Sequence, residues 1–261
     1  MQKINKKIIM IVLILMILLI FISFIIRLIL NNKETELKSV ETLYTPQENI
    51  SQNEVQKEEI QSNVSDWNLI LVNKNNKIPE GYNIELQEVE DNHIVDKRIA
   101  ENLKNMLQDA RKQGLDPIIC SSYRTNSKQV QLYNNKVREY KRQGYNSQKA
   151  EELASFWVAI PGTGEHETGL AVDIVSRKYQ ILDEEQEETK EQEWLIENSY
   201  KYGFILRYPT EKKALTMINY EPWHYRYVGI ENAKYIKEND MCLEEYINYL
   251  KEKELNDKTE V

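Results

Sequence analysis

The chain has 261 residues, room for one domain of ordinary size with attachments at its ends. Its formal net charge of −8 argues against a nucleic-acid binder, which needs a basic face to neutralise phosphates. The two cysteines, Cys120 and Cys242, lie far apart without the CxxC spacing of a zinc or redox motif. Neither is expected to ligate metal; Cys120, at the end of an apolar run, reads as a buried strand residue, and both read as free thiols.

Residues 8–26 are apolar apart from Ser23. As a helix rising about 1.5 Å per residue they would be roughly 28 Å long, enough to cross a bilayer. Lys3, Lys6 and Lys7 precede the stretch and Arg27, Lys33 and Lys38 follow it, so positive charge alone does not orient it. The run exceeds the about 7–15 apolar residues of a cleaved signal peptide, and no small-residue cleavage site follows. The expectation is a cytoplasmic tail over 1–7, a membrane anchor over 8–30 and an extracytoplasmic domain, with a cleaved signal peptide as the alternative; the domain is exported in both cases. Residues 31–65, rich in Glu, Gln, Asn, Ser and Lys, read as a flexible stalk. Residues 66–255 read as the folded domain and 256–261 as a disordered tail.

Within the domain, Ile99, Leu103, Met106, Leu107 and Ala110 recur at helical spacing, and Gly114 supplies a stop before a strand at 118–120. Further helices are predicted over about 127–142, 147–158 and 192–202, and strands over 170–175, 204–207 and 223–228. Strands and helices that do not alternate as βαβ units predict an α+β domain with a mainly antiparallel sheet. The acidic stretch 183–188 lacks alternating ligand spacing and a turn glycine, and reads as a solvated loop.

Only three histidines occur. His93 has no partner at a telling spacing and is given no role. His166 precedes Asp173 by seven residues, with Gly169 able to bend the chain between them. On a strand over 170–175, Leu170, Val172 and Ile174 share one face, and Ala171 and Asp173 the other. A buried carboxylate needs a positive partner. A zinc ion shared with His166 would meet that need, and so would a salt bridge to Arg124 or Arg207. Glu221 stands three positions before His224. Catalytic zinc commonly takes three protein ligands and leaves one position for water; His166, Asp173 and His224 fill the three, and Glu221 is placed to act as base.

Four segments resemble the VanY-type D-alanyl-D-alanine carboxypeptidases: Ser121-Ser122-Tyr123-Arg124 with Gln129, the stretch from His166 to Asp173, residues 202–209, and Glu221 to Gly229. The resemblance covers roughly residues 67–229 and implies the fold of the hedgehog and D-Ala-D-Ala peptidase group. It implies one zinc ion on His166, Asp173 and His224, catalytic roles for Glu221 and Arg124, and substrate contacts from Arg124, Gln129, Ser122 and Tyr123. The implied reaction is hydrolytic removal of a terminal D-alanine from peptidoglycan stem peptides by zinc-activated water. Arg124 suits a carboxylate or an oxyanion, with a structural bond to Asp173 as the alternative. The rivals are an L,D-carboxypeptidase, a D-Ala-D-Ala dipeptidase or endopeptidase, and a zinc-containing wall-binding module without catalysis. Gly164 departs from the family, where serine is common, and so does Met217, where glycine often follows the threonine. The expected partners are wall peptides and, through the anchor, a bacterial membrane; a monomer is expected.

Overall fold

The structure, a computed structural model, describes residues 61–259. The expected membrane anchor, the tail before it and most of the stalk lie outside the described residues. Among the described residues no helix is long and apolar enough to cross a membrane.

Among the described residues, six strands form two antiparallel sheets. A hairpin joins β1 (Leu86–Glu90) to β2 (His93–Asp96), and a four-stranded sheet has the order β3-β4-β6-β5, from Pro117–Ser121, Ala171–Ser176, His224–Tyr227 and Phe204–Leu206. The α+β class with a mainly antiparallel sheet is therefore what the chain adopts. The hairpin turns through Asp91 and Asn92, both left-handed at φ 50° and 63°, a pair of conformations that two-residue hairpin turns require.

Helix α1 (Ala100–Lys112) lays Leu103, Met106, Leu107 and Ala110 on the sheet, as its spacing predicts. Helix α2 (Asn126–Arg142) starts at Thr125, whose side chain accepts from the Lys128 N–H at 3.3 Å; α3 (Ser147–Ala154) starts at Asn146, which accepts from Lys149 N–H at 2.9 Å. Such caps satisfy donors that the first turn leaves open. Helix α3 stops at Ala154, earlier than predicted, and the fourth predicted helix divides into α4 (Lys190–Asn198) and a 3-10 turn over Ser199–Tyr202. The one-turn helix α5 (Lys213–Thr216) ends at Met217, which is left-handed at φ 59°.

Several expectations need correction. The acidic stretch is a 3-10 turn over Glu184–Glu188, capped by Asp183 and anchored by the buried Gln186, whose amide donates to the Tyr179 and Ile181 carbonyls. Cys120 is exposed, because β3 bulges between Ile119 and Ser121; both cysteines are free. Two helices close the domain, α6 (Ile230–Glu238) and α7 (Leu243–Thr259), so the chain is helical beyond the expected start of the tail at 256. The stalk's expected end at 65 is also late, since the Val64 N–H donates to Glu254 on α7 at 2.9 Å.

The sheet's two faces have different neighbours. Leu170, Val172, Ile174, Phe204, Tyr225 and Tyr227 join α1 and α4 in one core. Ile205 joins a second core with Leu243, Tyr246, Ile247 and Leu250 of α7. By the two-residue period of a strand, Asp173, His224 and Arg226 turn away from the first core.

Candidate metal and active site

Asp173 of β4 and His224 of β6 are direct register partners. The bulge in β3 brings Ser121, in place of Cys120, opposite Asp173; an extra residue re-aims the chain in this way. His166 comes from a 3-10 turn over Glu165–Thr168 that ends at Gly169, left-handed at φ 73°. A β-carbon at Gly169 would lie 2.9 Å from the Asp96 backbone nitrogen, so this turn approaches β2 too closely for any side chain.

These elements gather three buried donors. His166 Nε2 lies 3.2 Å and His224 Nδ1 3.0 Å from Asp173 Oδ1. One ligand atom from each residue falls within 4.8 Å of the others, and among the described residues this is the one such cluster of His, Cys, Asp and Glu side chains. Two imidazoles and a carboxylate match an open, catalytic type of zinc site. Their outer bonds fit the same purpose. His166 Nδ1 lies 2.8 Å from the Ser122 carbonyl, which only an N–H can satisfy, so Nε2 keeps its lone pair.

Asp173 has a further partner. Arg124 Nη2 donates to Oδ2 at 2.9 Å, so the salt bridge and the metal-ligand readings of Asp173 describe one arrangement. Arg207, the other cation considered, binds Glu165 and Glu244 instead. Burial opposes ionisation of Asp173, yet the two imidazoles and Arg124 hold its carboxyl well below the usual range. Burial holds His166 down to about 4. On His224 burial acts in the same direction, but Asp173 and Glu165 outweigh it and lift the metal-free ring to about 9.

Glu221 Oε2 sits 3.8 Å from His224 Nδ1, and burial pushes its carboxyl up to about 8. It opens with Arg124, Gln129, His166, Asp173 and His224 onto a cavity of about 540 Å³. Gln129 is buried, its amide donating to the Ala159 carbonyl at 2.7 Å while its oxygen faces Arg124 Nη1 at 3.5 Å. Ser122 and Tyr123 differ from expectation, as neither lines the cavity. The Ser122 hydroxyl accepts from the Ile94 N–H and lies 3.2 Å from His93 Nδ1; the Tyr123 N–H donates to the Ile94 carbonyl. Both brace the loop from the hairpin side. His93 therefore has a partner, one layer behind His166.

One residue of the site escaped the sequence reading. Glu165 is fully buried, with Oε2 3.3 Å from His224 Nε2 and Oε1 receiving Arg207 Nε at 2.7 Å and Arg226 Nη1 at 2.9 Å. Arg207 and Arg226, both buried, were the available signal, because a buried guanidinium demands a carboxylate partner.

Comparison with known proteins agrees with this geometry. The family model for VanY, D-alanyl-D-alanine carboxypeptidase, matches residues 92–230. A D-alanyl-D-alanine carboxypeptidase of Enterococcus faecalis (strain ATCC 700802 / V583) is 41% identical over 227 residues, spanning 85% of this chain and 83% of that protein. A crystal structure of a vancomycin resistance D,D-pentapeptidase VanY mutant, in complex with Zn(II), is 46% identical and aligns with a TM-score of 0.64 over 70% of this chain and 99% of the other. VanYB in complex with D-alanine-D-alanine is 46% identical with a TM-score of 0.65, over 70% of this chain and 98% of that one.

Proposed function

Since the chain belongs to the VanY family of D-alanyl-D-alanine carboxypeptidases, we propose that it removes the terminal D-alanine from peptidoglycan stem peptides by zinc-dependent hydrolysis in the 540 Å³ cavity. The observation that carries this reading is the convergence of His166, Asp173 and His224 in one buried cluster, with Glu221 beside them.

A zinc ion held by those three residues supplies Lewis acidity to the attacking water and to the scissile carbonyl. The remaining work falls to the chain's own groups. Glu221 takes the water's proton and returns it to the leaving amine. A carboxyl that burial raises to about 8 is well suited to holding a proton between these steps, and the charge of a bound dication tunes it downward. Arg124 has Nη2 on Asp173 and Nε on Ser121, at 2.9 Å each. Its Nη1, beside Gln129, is the donor we assign to the substrate's carboxylate or to the developing oxyanion. Gln129 holds that guanidinium and borders the substrate.

The apolar stretch 8–26 supports an N-terminal membrane anchor with the domain outside, on a stalk long enough to reach the wall. Every proposed ligand and catalytic group comes from one chain, which supports a monomer as the working unit.

The test is to incubate the zinc-loaded chain with pentapeptide and tetrapeptide stems and follow the products by mass, with a chelated control. Loss of one D-alanine from pentapeptide alone is the expected result. Cleavage of tetrapeptide instead would move the assignment to an L,D-carboxypeptidase. Zinc uptake with no cleavage of either stem, of D-Ala-D-Ala or of a crosslinked control would favour a wall-binding module. Glu221→Ala is expected to lower kcat by about 10²–10⁴-fold while zinc content stays at the wild-type level, because Glu221 is a base and not a ligand.

A further inference from the structure

We infer that Glu165 is a positioning residue of the metal centre, holding His224 in the tautomer that leaves Nδ1 free for the ion; the inference rests on the zinc reading above. The His224 ring has two nitrogens. Nδ1 lies 3.0 Å from Asp173 Oδ1 and 3.8 Å from Glu221 Oε2, while Nε2 lies 3.3 Å from Glu165 Oε2. A neutral imidazole carries one N–H, and the metal takes the lone pair of the other nitrogen. With Asp173 committed to the ion, Glu165 is the acceptor left for that proton. His166 is held in the opposite sense, through its Nδ1 and the Ser122 carbonyl. The two imidazoles thus present different nitrogens to one point, each fixed by a different outer acceptor.

Glu165 can serve as a fixed acceptor because its own freedom is removed. Its Oε1 accepts from both Arg207 and Arg226, at 2.7 and 2.9 Å. Arg207 is clasped in turn by both oxygens of Glu244, at 2.7 and 2.8 Å, and Arg226 Nη2 donates to the Asn68 and Ile70 carbonyls. Two carboxylates balance two guanidiniums, so turning Glu165 away would strand buried cations. A purely stabilising ion pair would need only Oε1. The approach of Oε2 to the imidazole is a contact that pairing with the two arginines does not itself require.

The full chain, solubilised with its ring nitrogens labelled with ¹⁵N, gives the first readout; with three histidines the ring signals are few. Zinc-loaded wild type is expected to show His224 protonated at Nε2 and coordinated through Nδ1. Coordination through Nε2 would overturn the inference, whatever any variant does. Glu165→Gln is expected to weaken zinc by about 10–100-fold in chelator competition. Glu244→Gln removes charge from the same Arg207 without touching the ring, so it is expected to lower the melting temperature while leaving zinc affinity within about twofold. Equal losses of affinity in the two variants would mean a structural role for Glu165 and would also overturn the inference. A wild-type chain that takes up no zinc would defeat the metal reading itself, a failure distinct from a loaded site using the wrong nitrogen.

Discussion

Asp173 serves three partners with two oxygens: His224 on Oδ1, Arg124 on Oδ2, and His166 at 3.2 Å from each. In the metal-free chain the proton between His224 Nδ1 and Asp173 occupies ground that a metal must take. Because Asp173 and Glu165, outweighing burial, hold His224 up to about 9, metal binding below that pH expels a proton. Affinity for zinc should therefore rise with pH, by about tenfold per unit for each proton released, and level off above about 9. His166, depressed to about 4, contributes no such proton near neutrality. Chelator-competition titrations at about pH 6.5 and 8 check this; equal affinities would mean that His224 is already neutral. The same raised value stabilises the metal-free fold below the ordinary histidine value of 6.5, a contribution lost as pH climbs through about 9. His166, Asp173, His224 and Glu221 were legible in the sequence because histidine is scarce and each stands at a short spacing from an acid. Glu165 was not, since one more carboxylate in a chain of 42 carries no mark until the two arginines around it prove to be buried.

At the scale of elements, turn geometry decides whether the ligands meet. Gly169 sits between two of them in a left-handed conformation with the Asp96 backbone close by. Gly169→Ala would incur about 1–2 kcal/mol for the conformation alone, before that overlap, so a loss of about 2 kcal/mol or more is expected in chemical denaturation. Met217 presents the reverse case, a non-glycine side chain held at φ 59°. Met217→Gly is expected to raise stability by up to about 1 kcal/mol with zinc content unchanged. A drop would mean that the contacts of Met217, among them its sulfur near Asn75 Nδ2, outweigh the strain. Elements with a clean apolar period, such as α1, were readable. Helix α7 has that period too, in Leu243, Tyr246, Ile247 and Leu250, but tyrosine in a charge-rich stretch disguises it. The β1–β2 hairpin was readable in principle from Asp91-Asn92, a pair tolerant of left-handed turns.

At the scale of the molecule, the sheet separates a dry core from the metal-binding side, so ligands on β4 and β6 sit on a rigid floor. A ligand that binds only the folded state adds stability by mass action, about 2.7 kcal/mol at a hundredfold excess over Kd. For a domain of this size, chelation at that ratio should lower Tm by roughly 5–10 °C. Scanning calorimetry with and without chelator checks it, and an unchanged Tm would argue against a site specific to the fold. The α+β class followed from the order of predicted strands and helices, whereas the pairing of Asp173 with His224 did not, because register depends on contacts between distant segments.

The ionic cluster behind His224 also sets an order in time. All three proposed ligands and Glu165 precede Glu244 in the chain, and Glu244 arrives on the closing helix. Until that helix docks, Arg207 and Arg226 share Glu165 as their one carboxylate in the cluster, and the buried pair is short of its second counter-charge. The ionic cluster is thus completed last, by the docking of the closing helix. A nascent chain halted before Leu243 would already hold every proposed ligand and still lack the second carboxylate that its buried arginines need.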